Sequence, residues 1–494
     1  MKRKTAILLG SALLAAAVLA SCGDTSTAQN PANNDASADV QTEAVTEPVK
    51  EFVKADLPDR DFGGENFIIY GRIYDGEWSA YDILSKELDG EQINDALVER
   101  TRYIEETYNC TLETFASNES TVTAPLKKLI TAGDATYAAC VTDVYDAGSL
   151  SVDGLLLNLK NVENIDLSQR WWAQMTNASL TLDNRQYYAT GDLFIQDNRA
   201  TRVFFFNKGM VTNYDMESPY ALVKDNKWTQ DAYFKMCETV KADLNGDNVM
   251  KREDDQFGTF AQATVGGVLY LGAGQHFTEK DGNDLPYIAC NTEKAVSVMT
   301  AISDKLSKMS DTISQNGDSN INGYYPDNLV YFQDGRGLFA PEVLAHIQTM
   351  RDCNVDIGIL PPPKFDESQD GYYCYADGWC VNVVSVPVTN TSSEKIGFVL
   401  EAMAANALNN LTPAYYDICL TSKYVRDQES VEMLDLIFAN VVMDNANIFS
   451  WGSIESTVNT AMTKGTGIAS AIEKVTKATQ KAIDKTVQKL QELD

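Results

Sequence analysis

Histidine and basic residues are scarce in this chain of 494 residues. It contains two histidines, His276 and His346, and 40 Lys and Arg against 70 Asp and Glu, so the formal net charge is −30 at pH 7. A strongly acidic surface repels phosphate backbones, which argues against a nucleic-acid partner and is compatible with a neutral or cationic small ligand. Two histidines weaken any proposal of a Ser-His, Cys-His or zinc hydrolase, although they do not exclude one.

Sequence motifs of several enzyme classes are also absent. The chain has no Gly-x-Ser-x-Gly nucleophile turn, no phosphate-binding P-loop and no His-Glu-x-x-His metal motif. A pair of carboxylates could serve a glycoside hydrolase. Among 70 acidic side chains, however, some pair must lie close together, so such a pair does not distinguish a hydrolase from a protein without catalytic activity. Because no catalytic site is visible, we predict that the protein is not an enzyme.

Cysteine spacing gives no sign of a metal site or of a disulfide scaffold. Cys22 follows the N-terminal apolar segment, and the other eight cysteines match no zinc-binding spacing. Cys374 and Cys380 could pair across a loop. Scattered buried thiols are the favoured interpretation for a chain of this size.

The first residues have the order typical of a secretory signal. Basic residues at positions 2–4 precede an apolar run from Ala6 to Ala20, which is shorter than the roughly 20 residues that span a bilayer. The Leu-Ala-Ser-Cys that ends at Cys22 resembles a bacterial lipobox, in which the cysteine is diacylated and begins the mature protein. A plain signal peptide with an incidental cysteine is the alternative.

These features predict a lipid-anchored protein on the outer face of a bacterial cell membrane. Residues 1–21 are the expected signal peptide. Residues 22–56 are the lipidated Cys22 and a flexible stalk that is too poor in apolar residues to fold. Palmitate-type acyl chains on Cys22 are the only expected contact with the membrane, because no other segment approaches a membrane span.

Strand and helix patterns alternate after the stalk. Short strands at 67–70, 110–115 and 137–142 are separated by helical periodicity at 93–108 and 123–132. This order predicts an α/β fold with a parallel sheet, whose ligands lie beyond the carboxyl ends of the strands. Because a single core rarely grows beyond about 250–300 residues, a chain of this length is expected to form two lobes.

Several stretches of the chain, in sequence order, resemble a known family. They are Gly90–Arg100, Asn158–Trp172, Tyr188–Asp192 with Phe204–Lys208, Trp228–Asp231, Gly358–Lys364 with Asp370–Tyr372, and Leu411–Tyr416. The family is that of the extracellular solute-binding lipoproteins of bacterial ABC importers, of the sugar-binding (family 1) type. The resemblance runs from about Leu57 to Ser453, and its stretches are mostly structural, so they say little about the ligand.

The resemblance implies a two-lobe periplasmic-binding-protein-like fold with a multi-strand hinge and an interlobe ligand cleft. Lobe 1 would hold residues 57–200 and 379–424, and lobe 2 residues 201–378 and 425–494, with crossings near Ala200, Gly378 and Tyr424. The implied function is capture of a carbohydrate, with an oligosaccharide favoured, by a monomer that delivers it to ABC permease subunits. The alternative is a cell-surface lipoprotein that binds or processes glycans without coupling to transport.

Aromatic and acidic side chains near strand ends and lobe crossings are the candidate ligand contacts. A sugar presents hydroxyls and an apolar ring face, which carboxylates and aromatic planes recognise. For each candidate, packing or helix capping is the alternative role. The predicted ligand-binding residues are Trp78, Tyr145, Asp146, Asp192, Asp377, Trp379 and Trp451.

A pattern close to that of an EF-hand calcium loop lies at residues 243–254. Asn248 stands where Gly is usual, and Asn tolerates the left-handed backbone that this position needs. A turn and strand are expected after the loop and no second loop pairs with it, so we predict a structural Ca²⁺ and not a sensor. A polar loop without metal is the alternative, and no catalytic cofactor is expected. The predicted ligands are Asp243, Asn245, Asp247, the Val249 carbonyl and Asp254.

Overall fold

The computed structural model describes residues 52–72, 83–117, 122–316, 320–321, 325–351, 353–420 and 428–493. The chain from Phe52 onwards forms one compact unit. The predicted signal peptide, Cys22, most of the stalk, Trp78 and the crossing near Tyr424 lie outside the described residues. Among the described helices, none combines the length and the apolar character that crossing a bilayer requires.

The strands of the described residues form two larger sheets and three small ladders. In chain order they are β1 (Glu65–Arg72), β2 (Cys110–Ser117), β3 (Ala139–Asp143), β4 (Tyr188–Ala189), β5 (Arg202–Asn207), β6 (Phe257–Gln262), β7 (Thr278–Lys280), β8 (Pro286–Ile288), β9 (Ile313–Asn316), β10 (Asn320–Ile321), β11 (Tyr325–Pro326), β12 (Gly337–Val343), β13 (Ile357–Leu360), β14 (Cys374–Tyr375), β15 (Asn382–Ser385) and β16 (Val441–Val442).

Helices connect and cover these strands. In chain order they are α1 (Gln92–Tyr108), α2 (Thr123–Thr131), α3 (Val144–Val152), α4 (Gln174–Leu180), α5 (Gln196–Arg199), α6 (Lys208–Asn213), α7 (Pro219–Lys224), α8 (Gln230–Val240), α9 (Val265–Gly272), α10 (Glu293–Lys308), α11 (Asp327–Gln333), α12 (Ser393–Ala407), α13 (Leu411–Leu420), α14 (Gln428–Ala439), α15 (Asn445–Ile448), α16 (Ile454–Lys464) and α17 (Ile468–Gln491).

The first sheet has the strand order β2–β1–β3–β15–β4. β1 runs parallel to β2, with Glu65 opposite Cys110, and parallel to β3. β15 runs antiparallel to both β3 and β4, with Asn382 opposite Asp143. The predicted parallel pairing of the first three strands is confirmed, but the sheet as a whole is mixed because β15 returns in the opposite direction.

The direction of β15 determines which residues share one edge of this sheet. β1, β3 and β4 end at Arg72, Asp143 and Ala189, and the antiparallel β15 begins beside them at Asn382. We call this the carboxyl edge. Residues that follow β3, follow β4 or precede β15 meet there, although they are far apart in the sequence.

The second sheet has the strand order β13–β5–β12–β6–β9. β5 is antiparallel to β12 and β13, whereas β12 and β9 are parallel to β6. Phe204, Phe205 and Phe206 of β5 are at most 2% exposed, and Tyr233 of α8 packs edge-to-face on Phe204 at 5.3 Å. Each buried aromatic ring of this kind stabilises the fold by about 1.5–3 kcal/mol.

Short backbone pairings lie where the chain passes from one sheet to the other. Thr201, just before β5, bridges Ala376, and Cys374 of β14 lies opposite Val441 of β16 in a parallel ladder. These segments adjoin the crossings predicted near Ala200 and Gly378. The exact bounds of the lobes stay predictions.

A buried carboxylate holds two adjacent tryptophans. Glu401 of α12 is 3% exposed, and its two oxygens accept the indole N–H of Trp171 at 3.0 Å and of Trp172 at 2.9 Å. Burial raises the pKa of Glu401 to about 7, although both N–H groups act in the opposite direction. The favourable hydrogen bonds therefore only partly offset the cost of removing this charge from water.

The cysteines of the described residues are all free. Seven of these eight are buried, and Cys353 is half-buried. Burial raises the pKa of the Cys110 thiol to about 11 and of the Cys237 thiol to about 12. The interpretation as scattered buried thiols is confirmed, and the alternative Cys374–Cys380 disulfide is not formed.

We predict that Glu401→Gln removes part of the pH dependence of stability. The pKa of Glu401 is raised on folding from 4.5 to about 7, so its contribution to stability is fully present below about pH 4.5 and is lost as the pH rises through about 7. On acidification from about pH 8 to about pH 5, the free energy of unfolding of the wild type should therefore rise relative to that of E401Q, by at most about 3 kcal/mol. Scanning calorimetry across this range measures the difference.

Glu367→Gln serves as the control, because Glu367 is exposed. The free energy of unfolding of E367Q should follow that of the wild type, with a constant difference, across the pH range. A difference in the free energy of unfolding between wild type and E401Q that is the same at every pH would contradict the prediction. It would show that folding leaves the pKa of Glu401 unshifted.

Candidate functional site

Three predicted ligand-binding residues lie at the carboxyl edge. Tyr145 stands in the first turn of α3, directly after β3, and Asp377 and Trp379 lie just before β15. The two segments touch: a Cβ added to Gly378 would stand 2.9 Å from the Tyr145 phenol oxygen. The mixed pairing of the sheet brings these residues together.

Trp379 presents its indole at the surface of this edge. The residue is 42% exposed, whereas Trp171, Trp172, Trp228 and Trp451 are each at most 5% exposed. Among the tryptophans that the structure describes, Trp379 is therefore the one with a large exposed fraction. An exposed aromatic plane is the surface on which the apolar face of a sugar ring stacks.

A chain of hydrogen bonds joins Tyr145 to a segment near the C-terminus. The Tyr145 hydroxyl donates to Asn447 Oδ1 at 2.5 Å, and Asn447 Nδ2 donates to the Glu455 carboxylate. Burial raises the pKa of Tyr145 well above its ordinary value and that of Glu455 to about 7. Asn447 and Glu455 were not predicted from the sequence, because neither belongs to a recognisable motif and only the fold places them beside Tyr145.

Further contacts hold the same two regions together. A Cβ on Gly148 of α3 would stand 3.0 Å from the Ile448 side chain at the end of α15. Asp153, just after α3, forms an ion pair of 3.2 Å with Lys489 of α17. The helix after β3 is thus in direct contact with the C-terminal helices.

Asp377 belongs to a buried ion-pair group. Its carboxylate accepts from Arg202 at 2.6 Å, and Arg202 also lies 3.4 Å from the fully buried Glu342. Asn328 donates to Glu342 at 3.0 Å. Desolvation and nearby guanidinium groups lower the pKa of His346, which lies 3.8 Å from Glu342, to about 3, so this histidine is neutral. Asp377 therefore joins the segment before β15 to Arg202, the first residue of β5.

Asp146 holds the start of α2 against α3 in this structure. It is 9% exposed, and its carboxylate accepts the Val122 N–H at 3.3 Å and the Thr123 hydroxyl, at the start of α2. Its own N–H donates to Asp143, the residue that caps α3, at 2.8 Å. These bonds show the alternative, structural role, and a ligand contact of Asp146 stays a prediction.

Trp451, one of the predicted ligand contacts, is a buried residue. The residue is 2% exposed, stacks on Phe449 at 5.1 Å with an interplanar angle of 13°, and donates its indole N–H to Thr486 at 3.0 Å. Ser450, Gly452 and Ser453 have positive φ angles of 49°, 58° and 55°. This left-handed turn is associated with an indole that packs against α17, so Trp451 is part of the core.

Two predicted ligand residues remain, Asp192 and Trp78. Asp192 follows β4 at the same edge, where its carboxylate accepts the Thr412 hydroxyl at 2.8 Å and lines a separate cavity. Trp78 lies outside the described residues. The structure thus gathers Tyr145, Asp377 and Trp379 at this edge, whereas Trp451 is buried.

The loop at residues 243–254 is ordered by its own hydrogen bonds. The two Asp243 oxygens accept the N–H groups of Gly246 and Asn248, both at 2.7 Å. Asp247 accepts from Val249 N–H at 2.8 Å and pairs with Lys251 at 2.8 Å. Asn248 has the predicted left-handed backbone, with φ at 61°.

The predicted twelfth-position ligand of this loop does not face its interior. Asp254 is exposed, whereas its neighbour Asp255 is fully buried and accepts the N–H groups of Leu244 at 2.9 Å and Lys251 at 2.7 Å. Within the described parts of the chain, no three His, Cys, Asp or Glu side chains come together in a way that could hold a metal ion. The side chains as arranged do not form a coordination shell, and calcium binding here stays a prediction.

We predict that Asp255→Asn lowers stability and that Asp254→Asn leaves it unchanged. In D255N the new amide would keep one acceptor oxygen but turn a donor towards a backbone N–H, at a cost of about 1–3 kcal/mol. Thermal melting in EDTA measures both variants. A loss of melting temperature as large in D254N as in D255N would contradict the assignment, and a calcium-dependent gain that D254N abolishes would support the predicted metal site.

Comparison with known proteins gives matches in structure but not in sequence. No family model and no curated protein matches the sequence. A cyclo/maltodextrin-binding protein complexed with maltotetraose has a TM-score of 0.55 and 13% identity, covering 87% of this chain and 97% of that one. A sugar transporter protein from Rhizobium etli, in an open conformation, has a TM-score of 0.55 and 14% identity, covering 84% and 99%.

A third solved structure with the same fold has a ligand that is not a sugar. UgpB from Mycobacterium tuberculosis, in complex with glycerophosphocholine, has a TM-score of 0.51 and 12% identity and covers 85% of this chain and 98% of that one. At such low identity these similarities show the fold and not the ligand. The chain has the predicted two-lobe, periplasmic-binding-protein-like α/β fold, which it shares with the maltodextrin-binding protein and the sugar transporter protein.

Proposed function

We propose that the protein is the substrate-binding component of an ABC importer and captures a carbohydrate, with an oligosaccharide favoured, between its two lobes. The observation that supports this most directly is the exposed Trp379 indole beside Tyr145 at the carboxyl edge. Ligands of open α/β sheets lie at this edge. A protein of the same fold has been solved with maltotetraose.

The proposed action is binding without chemistry. An open form admits the sugar, and closing brings the helix after β3 against the C-terminal helices. The Tyr145–Asn447–Glu455 chain and the Asp153–Lys489 pair are formed in this structure, and opening would break them. A ligand favours the closed form only through contacts that it makes better there than in the open form.

The proposed setting is the outer face of the cell membrane. Lipid on Cys22 and the stalk that follows would keep the binding body near the permease, and a tether raises the local concentration of one partner around the other. The permease subunits would receive the sugar from the closed, monomeric protein. Loss of sugar uptake in cells that lack the protein would distinguish this function from glycan binding without transport.

We predict that Trp379→Ala weakens sugar binding about tenfold or more, because loss of a stacking aromatic plane costs on the order of 1.4 kcal/mol. Isothermal titration calorimetry with a panel of maltooligosaccharides and other sugars measures the affinity. Tyr287→Ala is the matched control, since Tyr287 is 41% exposed and lies on the small β7–β8 ladder.

Two results would overturn the proposed function. One is a sugar affinity that W379A and Y287A reduce equally, which would place the sugar away from the carboxyl edge. The other is a panel in which no saccharide binds the wild type while glycerophosphocholine or a peptide does. That result would agree with a solute-binding protein but would contradict the assignment of a carbohydrate as its ligand.

A further inference from the structure

A cavity of about 300 Å³ lies where four parts of the chain meet. They are the loop before α4, the turn between β4 and α5, and the helices α13 and α14. The cavity shares no residue with the Tyr145–Asn447–Glu455 chain. Its polar and aromatic lining includes Arg170, Asp192, Asp197, Thr412, Tyr416 and Phe438.

Asp197 is the buried charged group of this cavity. It is 6% exposed, and its Oδ1 accepts the N–H of the adjacent Asn198 at 2.9 Å. Burial raises the pKa of Asp197 to about 7, although this N–H and the Thr190 hydroxyl act in the opposite direction. A carboxylate that has lost water on a cavity wall is stabilised by a cation placed against it.

Asp192 adds a second carboxylate. Burial raises its pKa to about 6, and its negative charge contributes to raising the pKa of Asp197. Arg170, which is exposed at the rim, acts to lower the pKa of Asp192. With both carboxylates ionised and one guanidinium beside them, the cavity has a single excess negative charge, which one monovalent cation neutralises.

Aromatic and apolar surfaces select the kind of cation. The Tyr416 and Phe438 rings lie 5.5 Å apart in an edge-to-face arrangement, and Met175 and Trp172 also line the cavity. Aromatic faces attract organic ammonium ions through cation–π contacts. A metal ion would need more oxygen or nitrogen ligands than two carboxylates provide.

We propose that this cavity binds a small alkylammonium ion, with its nitrogen between Asp192 and Asp197 and its carbon atoms against Tyr416 and Phe438. The cavity includes Asp192, a predicted sugar contact, but none of Tyr145, Asp377 and Trp379, so the proposal does not depend on sugar binding beside Trp379. This cavity gives the acidic chain a second, cationic ligand.

Isothermal titration calorimetry with methylammonium and tetramethylammonium chloride, at an ionic strength held constant with sodium chloride, tests the proposal. We expect saturable binding to the wild type and an affinity at least about tenfold lower in Asp197→Asn and in Asp192→Asn. The Asn side chains keep the size and one acceptor oxygen of the originals. Asp231→Asn is the matched control, because the Asp231 side chain is 89% exposed and lies outside the cavity.

A pH series gives an independent readout. An ammonium ion favours the ionised carboxylates, so its affinity should rise from about pH 5 to about pH 8 and its binding should release protons. Lack of saturable binding to a folded wild type, or unchanged affinity in both variants, overturns the proposal. Equal binding of the neutral tert-butanol also overturns it, because charge would then play no part.

Discussion

The antiparallel pairing of β15 between β3 and β4 is the constraint on which the rest of the structure depends. It joins a strand that begins at Asn382 to strands that are complete by Ala189. The chain must therefore leave the first sheet, build the second and return. The returning segment brings Asp377 and Trp379 to the carboxyl edge beside Tyr145, so the site is a product of long-range pairing and not of any local motif.

Buried carboxyl groups recur around this framework. Burial raises the pKa of Asp192 to about 6 and the pKa values of Asp197, Glu401 and Glu455 to about 7. Removing a carboxylate from water costs free energy. Protonation of the carboxyl group, a hydrogen-bond donor or a nearby cation lowers that cost. The formal charge of −30 at pH 7 therefore overstates the charge of the folded chain, because these groups are partly protonated near neutrality.

The sequence predicted the elements that rest on local patterns. The first three strands and the helices between them follow from apolar runs and helical periodicity, and the structure places α1 at Gln92–Tyr108, close to the predicted 93–108.

The roles of residues whose partners are distant in the sequence could not be predicted from local patterns. The structural role of Asp146 depends on its bonds to Val122 and Thr123, and nothing in the sequence around Asp146 identifies these partners. Ser and Gly around Trp451 indicate a surface turn, but that turn directs the indole inwards. Asp254 occupies the twelfth position of the loop pattern, yet Asp255 is the one that faces the interior, because tertiary packing decides which of two neighbours is buried.

The free thiols have a consequence for a protein expected outside the cell. Seven of the eight described cysteines are buried, and burial holds thiols such as Cys237 and Cys290 in the unreactive protonated form, with pKa values of about 12. The thiolate is the form that oxidants attack. The fold therefore protects its sulfur chemistry by packing instead of by disulfide pairing, and an oxidising environment can reach most of these thiols only after the protein has opened.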